Sequence, residues 1–270
     1  ETLMTFKRLT LRLATAGVLL TTPVVAGAAD SSHTPALNVS DRHRNCFFDL
    51  HPELTRAEFR EFTDELGSIL RPRQLSDAST LGRGRFEVGL AFARTGIDDS
   101  KGAWNNTMSH PTADHELGDA IALPLVRARM GVSDRVDLGV TGGADPRSNY
   151  GVAGVEAKIA LLRQGPGRPV SVAIRPTVSA LIGPSEVFVG NASLDLSVSR
   201  RMGAWAPYVG GSSLASLGVE RSKDVDLKDE ALTRSVVFGG VAFEHRGLSV
   251  AAEAEHGKLT SVSLRVSARF

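Results

Sequence analysis

The chain has 270 residues, with 31 Lys and Arg against 30 Asp and Glu, and a formal net charge of +1. A pI of about 8.2 supplies no large field for nucleic acid, which that class of partner would need. Apolar residues make up 42% and charged residues 23%. That balance argues against a helical membrane protein, which needs runs of about 20 apolar residues, and leaves a soluble domain or a membrane β-barrel.

In chain order, the first element is a secretory signal peptide. Met4 to Arg12 is a basic stretch, Leu13 to Val25 a short apolar one, and Ala26-Gly27-Ala28 a small-x-small cleavage site. Residues 1–29 are therefore set outside the fold, with Met4 as the start. The exported chain then carries one cysteine, Cys46, too few for an internal disulfide.

Residues 30–83 form a lead-in, expected in the periplasm. Its first part, 30–53, is polar and mixed. Thr55-Arg56-Ala57-Glu58 is a capping box, and Phe59, Phe62, Leu66, Ile69 and Leu70 follow at helical spacing. The spacing predicts an amphipathic helix over 56–70, weakened by Gly67 and stopped by Arg71-Pro72. A single apolar stripe predicts one buried face, against the barrel mouth, the lumen or another protein.

From about residue 84 the period changes from 3.6 to 2 and stays there. Phe86, Val88, Leu90 and Phe92 alternate with Arg85, Glu87, Gly89 and Ala91, and the chain repeats this pattern to its end. Ten strands are predicted: 84–98, 120–132, 136–144, 150–164, 170–182, 187–201, 204–220, 231–245, 248–256 and 261–270. The reading is all-β, a closed antiparallel transmembrane barrel over 84–270 preceded by one short helix. Segments of 9–15 residues suit tilted strands crossing a bilayer, whereas soluble strands average about 5–6. Connections at 133–135, 165–169, 202–203 and 246–247 are short, and most of the others are longer or more polar, an asymmetry of outer-membrane barrels.

The polar face of such a barrel points inward. It comprises Arg85, Glu87, Arg127, Arg129, Asp137, Glu156, Lys158, Arg175, Asp195, Glu244, Glu253, Glu255, Arg265 and Arg269. Arg127 and Arg129 are expected beside Asp137, and Glu253 and Glu255 beside Arg265; closure would bring Arg265 or Arg269 to Glu87. Unpaired charges in a narrow interior are costly, so a mixed set suits a filled barrel. Phe86, Trp205, Phe243 and Phe270 fall near one predicted membrane boundary, and Tyr150 and Phe188 near the other.

The last stretch, "SVSLRVSARF", alternates and ends on Phe270. It resembles the terminal strand of bacterial outer-membrane barrel proteins. The resemblance is in pattern over the post-signal region and in motif over 261–270 alone. It implies residence in the outer membrane, contact with its lipid, and recognition of 261–270 by the barrel-assembly machinery.

Side chains that could carry chemistry are few. The loop "NNTMSHPTADHELGD" holds His110, Asp114, His115, Glu116 and Asp119, which could bind a divalent metal, but their spacing fixes no geometry and a solvated loop is the plainer reading. His256 beside Glu255 could join an acid–base pair at the rim, as in the omptin proteases, yet no omptin motif is present. No catalytic residue, metal or cofactor is assigned. The expected function is non-enzymatic: a structural barrel, or a narrow conduit for small polar solutes. The alternatives are a rim hydrolase using His110, His115 or His256, and a soluble secreted β-sandwich that binds a ligand.

Overall fold

The computed structural model describes residues 48–108, 118–145 and 148–270. The expected signal peptide, Cys46 and the loop residues His110, Asp114, His115 and Glu116 lie outside them. Helix α1 spans Arg56–Leu70 and α2 spans Gly102–Asn105. The strands are β1 Phe86–Gly96, β2 Ala120–Gly131, β3 Val136–Ala144, β4 Gly151–Leu162, β5 Ser171–Ile182, β6 Val187–Ser199, β7 Trp205–Glu220, β8 Glu230–His245, β9 Leu248–His256 and β10 Thr260–Arg269.

Every strand pairs antiparallel with its chain neighbours, and β10 returns to β1 to close a ten-stranded barrel. The closing register sets Glu87 opposite Arg269, Leu90 opposite Val266 and Phe92 opposite Leu264. A single closed sheet replaces the two-sheet sandwich considered above. The end holding Phe86 and Arg269 is called the base here, and the opposite end the mouth.

The period-2 pattern decides which side chains meet outside and inside. Outward positions are apolar: Leu90 is 68% exposed, and Val209 and Val237 are each 61% exposed. In water each such side chain would forgo roughly 1.5–3 kcal/mol of burial. A continuous band of them around a closed wall is the surface of a protein solvated by something other than water. Inward positions are buried, many of them polar, with apolar ones such as Leu123, Val189 and Phe238 among them.

The capping box forms as the sequence predicts. Glu58 N–H donates to Thr55 Oγ1 at 3.3 Å, while Thr55 N–H donates to Glu58 Oε2 at 2.8 Å. The position of α1 is one of those its single apolar stripe left open. It packs against β5 to β8 and α2, inside the mouth of the barrel. Its predicted stripe is buried, but so are Thr63, Asp64, Glu65 and Ser68 on its other faces. The reason is the polar wall: Arg234 Nη2 lies 2.8 Å from Asp64 Oδ2, and Trp104 Nε1 donates to Glu65 at 2.6 Å. Gly67 also gains an explanation. A Cβ there would lie 2.2 Å from Ser216 Oγ, so the helix approaches the wall closely.

After α1 the chain runs without regular secondary structure down the lumen to the base, with Leu75 at a φ of +45°. Gly82 and Gly84, with φ of +90° and +76°, then turn it back into β1. The loop-length asymmetry is weaker than the sequence suggested. It rests chiefly on 97–119, since 163–170 at the base is longer than 183–186 at the mouth.

Candidate functional site

The site is the lumen, and its occupant is the chain itself. An irregular segment inside a barrel has no ladder to satisfy its backbone, so its N–H and C=O groups must find side chains. The wall supplies them in sequence from mouth to base. Asn191 Nδ2 donates to Gly67 O at 2.9 Å and Ser179 Oγ to Leu70 O at 3.0 Å. Arg175 donates to Pro72 O at 2.8 Å and Arg73 O at 3.1 Å, and Arg127 to Gln74 O at 2.7 Å. Lys158 Nζ donates to Asp77 O at 2.7 Å. In the other direction, Leu75 N–H donates to Glu253 at 2.8 Å, Ala78 N–H to Ser199 Oγ at 2.9 Å, and Leu81 N–H to both oxygens of Asp137 at 3.0 Å.

The charges form two ion-paired sets, one around Glu87 and Glu244 and one around Glu156, Asp195 and Glu255. Glu87 receives Arg129 at 2.7 Å, Arg269 at 2.6 Å, and Arg265. Glu156 receives Arg127 and Arg175, each at 2.6 Å. Asp195 receives Arg175 Nε at 2.9 Å and, from the plug, Arg71 at 3.3 Å. Glu255 receives Arg71 and, at 3.1 Å, Arg73. At the base Arg201 bridges Asp77 and Glu244, each at 2.8 Å.

Several expected pairings are replaced. Both Arg265 and Arg269 meet Glu87, as closure required. Arg127 and Arg129 turn instead to Glu156 and Glu87, leaving Asp137 to bond Leu81 N–H. Arg265 bonds Ser249 at 3.0 Å and not Glu253 or Glu255, which answer the plug. Arg85 is not luminal: it precedes β1 and is exposed. The other inward residues named above face the lumen and are buried or half-buried.

The aromatic positions divide similarly. Trp205 and Phe243 meet at a tilt on the outer wall at the base, ring centroids 4.7 Å apart, with Phe86 and Phe270 exposed at the same end. Phe188 lies half-buried under the Arg221 guanidinium, 5.2 Å away. Tyr150 is a correction: it is fully buried, 4.9 Å from Phe48, in an apolar cluster with Phe59, Phe62, Leu66 and Trp104 that closes the mouth. A tyrosine at a strand end fits a membrane boundary or a lid equally well by sequence.

The mouth cluster is tied to the loops. Glu61 accepts from Lys101 at 2.8 Å and Lys258 at 3.1 Å, and these bonds hold its carboxyl below the usual glutamate range. Asp119 pairs with Arg94 at 3.0 Å, and His256 Nδ1 lies 2.9 Å from Thr260 Oγ1. Residues missed in the sequence are those of the plug: Arg71, Arg73, Gln74, Ser76 and Asp77. The run "RPRQLSD" offers a signal, two arginines at a spacing of two beyond the helix, but only against a known deficit of base beside Glu253 and Glu255.

No family model matches the chain, and no curated protein does. Among solved structures, the N-terminal β-barrel domain of Pseudomonas aeruginosa OprF is 13% identical, with 70% of this chain and 99% of that one covered and a TM-score of 0.32. LpxR from Salmonella typhimurium is 8% identical over 67% of this chain and 99% of that one, with a TM-score of 0.37. Neisserial surface protein A is 11% identical over 70% and 97%, with a TM-score of 0.32. The architecture therefore rests on the closed strand order itself.

Proposed function

We propose that this chain is a bacterial outer-membrane β-barrel that rests closed, in a structural and non-enzymatic role, with its own residues 56–81 as the plug. The apolar outer wall supports the membrane reading, and the strand lengths of 9–16 residues suit it. The observation that carries closure is the run 71–81, whose backbone is bonded by wall side chains from six strands: β2, β3, β4, β5, β6 and β9. A barrel of eight strands is just filled by its side chains; ten strands leave a little more room, and that run takes it. Passage of a small polar solute would require that run to leave. The hydrolase reading draws no support from His256, whose ring turns to Thr260 and not to a carboxylate.

The test is conductance of the full chain in planar bilayers. The reading predicts no single-channel steps at moderate voltage. Steady open-channel current from the unmodified chain would replace it with the open-conduit reading.

A further inference from the structure

Resting on the bilayer reading above, we propose that the outer wall carries a binding site for one anionic phospholipid at the base. Its acyl chain lies in an apolar groove across β1 to β5, and its phosphate meets arginines at the groove's base end.

The groove has a volume of about 680 Å³ and is almost wholly apolar. Its rows follow from the strand register. Phe86, Met130, Leu138 and Ala157 are successive cross-strand neighbours nearest the base. Val88, Ala128, Val140, Val155 and Val178 form the next row. Ala128 lies between larger side chains in its row and Ala157 ends the other, so the two leave a depression that a hydrocarbon chain fits.

The base end supplies charge. Arg83, Arg85, Arg135, Arg163, Arg168, Arg200 and Arg246 are all exposed there, and among the described residues none forms an ion pair. Asp134 is the single exposed acidic side chain at that end among the described residues. Three of the arginines continue strands that line the groove. Arg85 immediately precedes Phe86, Arg135 lies in the β2–β3 turn beyond Met130 and Leu138, and Arg163 follows β4. Guanidinium forks bind phosphate oxygens in pairs, where an ammonium acts as a point charge. The exposed Trp205 and Phe270 mark the same level, as aromatic side chains do at a headgroup boundary.

A free phosphate would leave the groove unused. A second copy of the chain in the same membrane orientation would set arginine rim against arginine rim. An anionic lipid satisfies both the charge and the groove.

The test uses the full chain reconstituted in phosphatidylcholine vesicles with trace spin-labelled phosphatidylglycerol or phosphatidylcholine. The immobilised fraction of each label gives relative association. Phosphatidylglycerol should be favoured roughly fivefold at low salt. R85Q/R135Q/R163Q should bring the ratio near one, and Ala157→Trp, which fills the groove without altering charge, should reduce it as well. R200Q/R246Q, in the β6–β7 and β8–β9 turns and so outside the groove strands, should leave it within about twofold of the unmodified chain. A ratio near one for the unmodified chain overturns the site. Equal loss in both arginine sets, or no effect of Ala157→Trp, shows diffuse rim charge and overturns it too. Flotation with the vesicles reads the bilayer reading separately: a chain that does not float refutes that reading, whereas one that floats without selectivity refutes only the lipid site.

Discussion

Glu87 answers three guanidinium groups, Arg265 and Arg269 across the seam where β1 meets β10 and Arg129 from β2 on the other side. Removing one partner of a buried charge set leaves the others uncompensated, at a cost of about 3–5 kcal/mol. Glu87→Gln should therefore lower the unfolding free energy of the barrel by that much, read as a lower urea midpoint for loss of heat-modifiable migration. Arg269→Gln, nearer the rim and 14% exposed, should cost less. Glu87 was legible in the sequence because inward polar positions alternate and closure follows from the strand count. Arg85 was misassigned by the same rule, because alternation says which face a residue shares but not where the strand begins. The partners of Arg127, Arg129 and Arg265 were not legible, since sequence neighbours on a wall compete with side chains that enter the lumen from elsewhere.

At the scale of elements, α1 and the run after it do what the strands do not: they occupy space the wall encloses. The helix itself was plain in the sequence from its capping box and stripe. Its placement was not, because an apolar stripe does not name its partner, and the buried polar residues Thr63, Asp64 and Glu65 read as a solvated face until Arg234 and Trp104 are opposite them. Gly67 gives a direct test of the packing. Gly67→Ala sets a methyl 2.2 Å from Ser216 Oγ and 2.8 Å from its Cβ. Overpacking of this kind costs about 1–3 kcal/mol, so α1 amides should exchange hydrogen faster, and Ser216→Gly should restore their protection. The mouth clasp gives a pH test. Because Lys101 and Lys258 lower the Glu61 carboxyl, its contribution is fully present above the ordinary glutamate range and fades as pH falls through the lowered value. Lys101, raised by the same carboxylate, keeps its share until pH climbs past the lysine range. Protection of the mouth-side amides of α1 should thus hold at neutral pH and drop below about pH 4. Replacing Lys101 and Lys258 by Ala should lower that protection at neutral pH and flatten its pH dependence.

For the whole molecule, a closed wall with an oily exterior and a charged interior fixes where each half of every strand belongs, and the plug occupies the space that wall encloses. The wall was written in the period-2 pattern. The closed state was not, because it depends on how the lumen is filled. The central claim is that the segment before β1 lies within the barrel, and one side-chain contact tests it directly: Ser79 Oγ lies 3.4 Å from Ser171 Oγ on β5. In a chain with Cys46 replaced by Ser, Ser79→Cys with Ser171→Cys should form a disulfide under mild oxidation while the barrel keeps its heat-modifiable migration. If both thiols instead stay free and react with a membrane-impermeant maleimide in an intact barrel, residues 71–81 do not occupy the lumen.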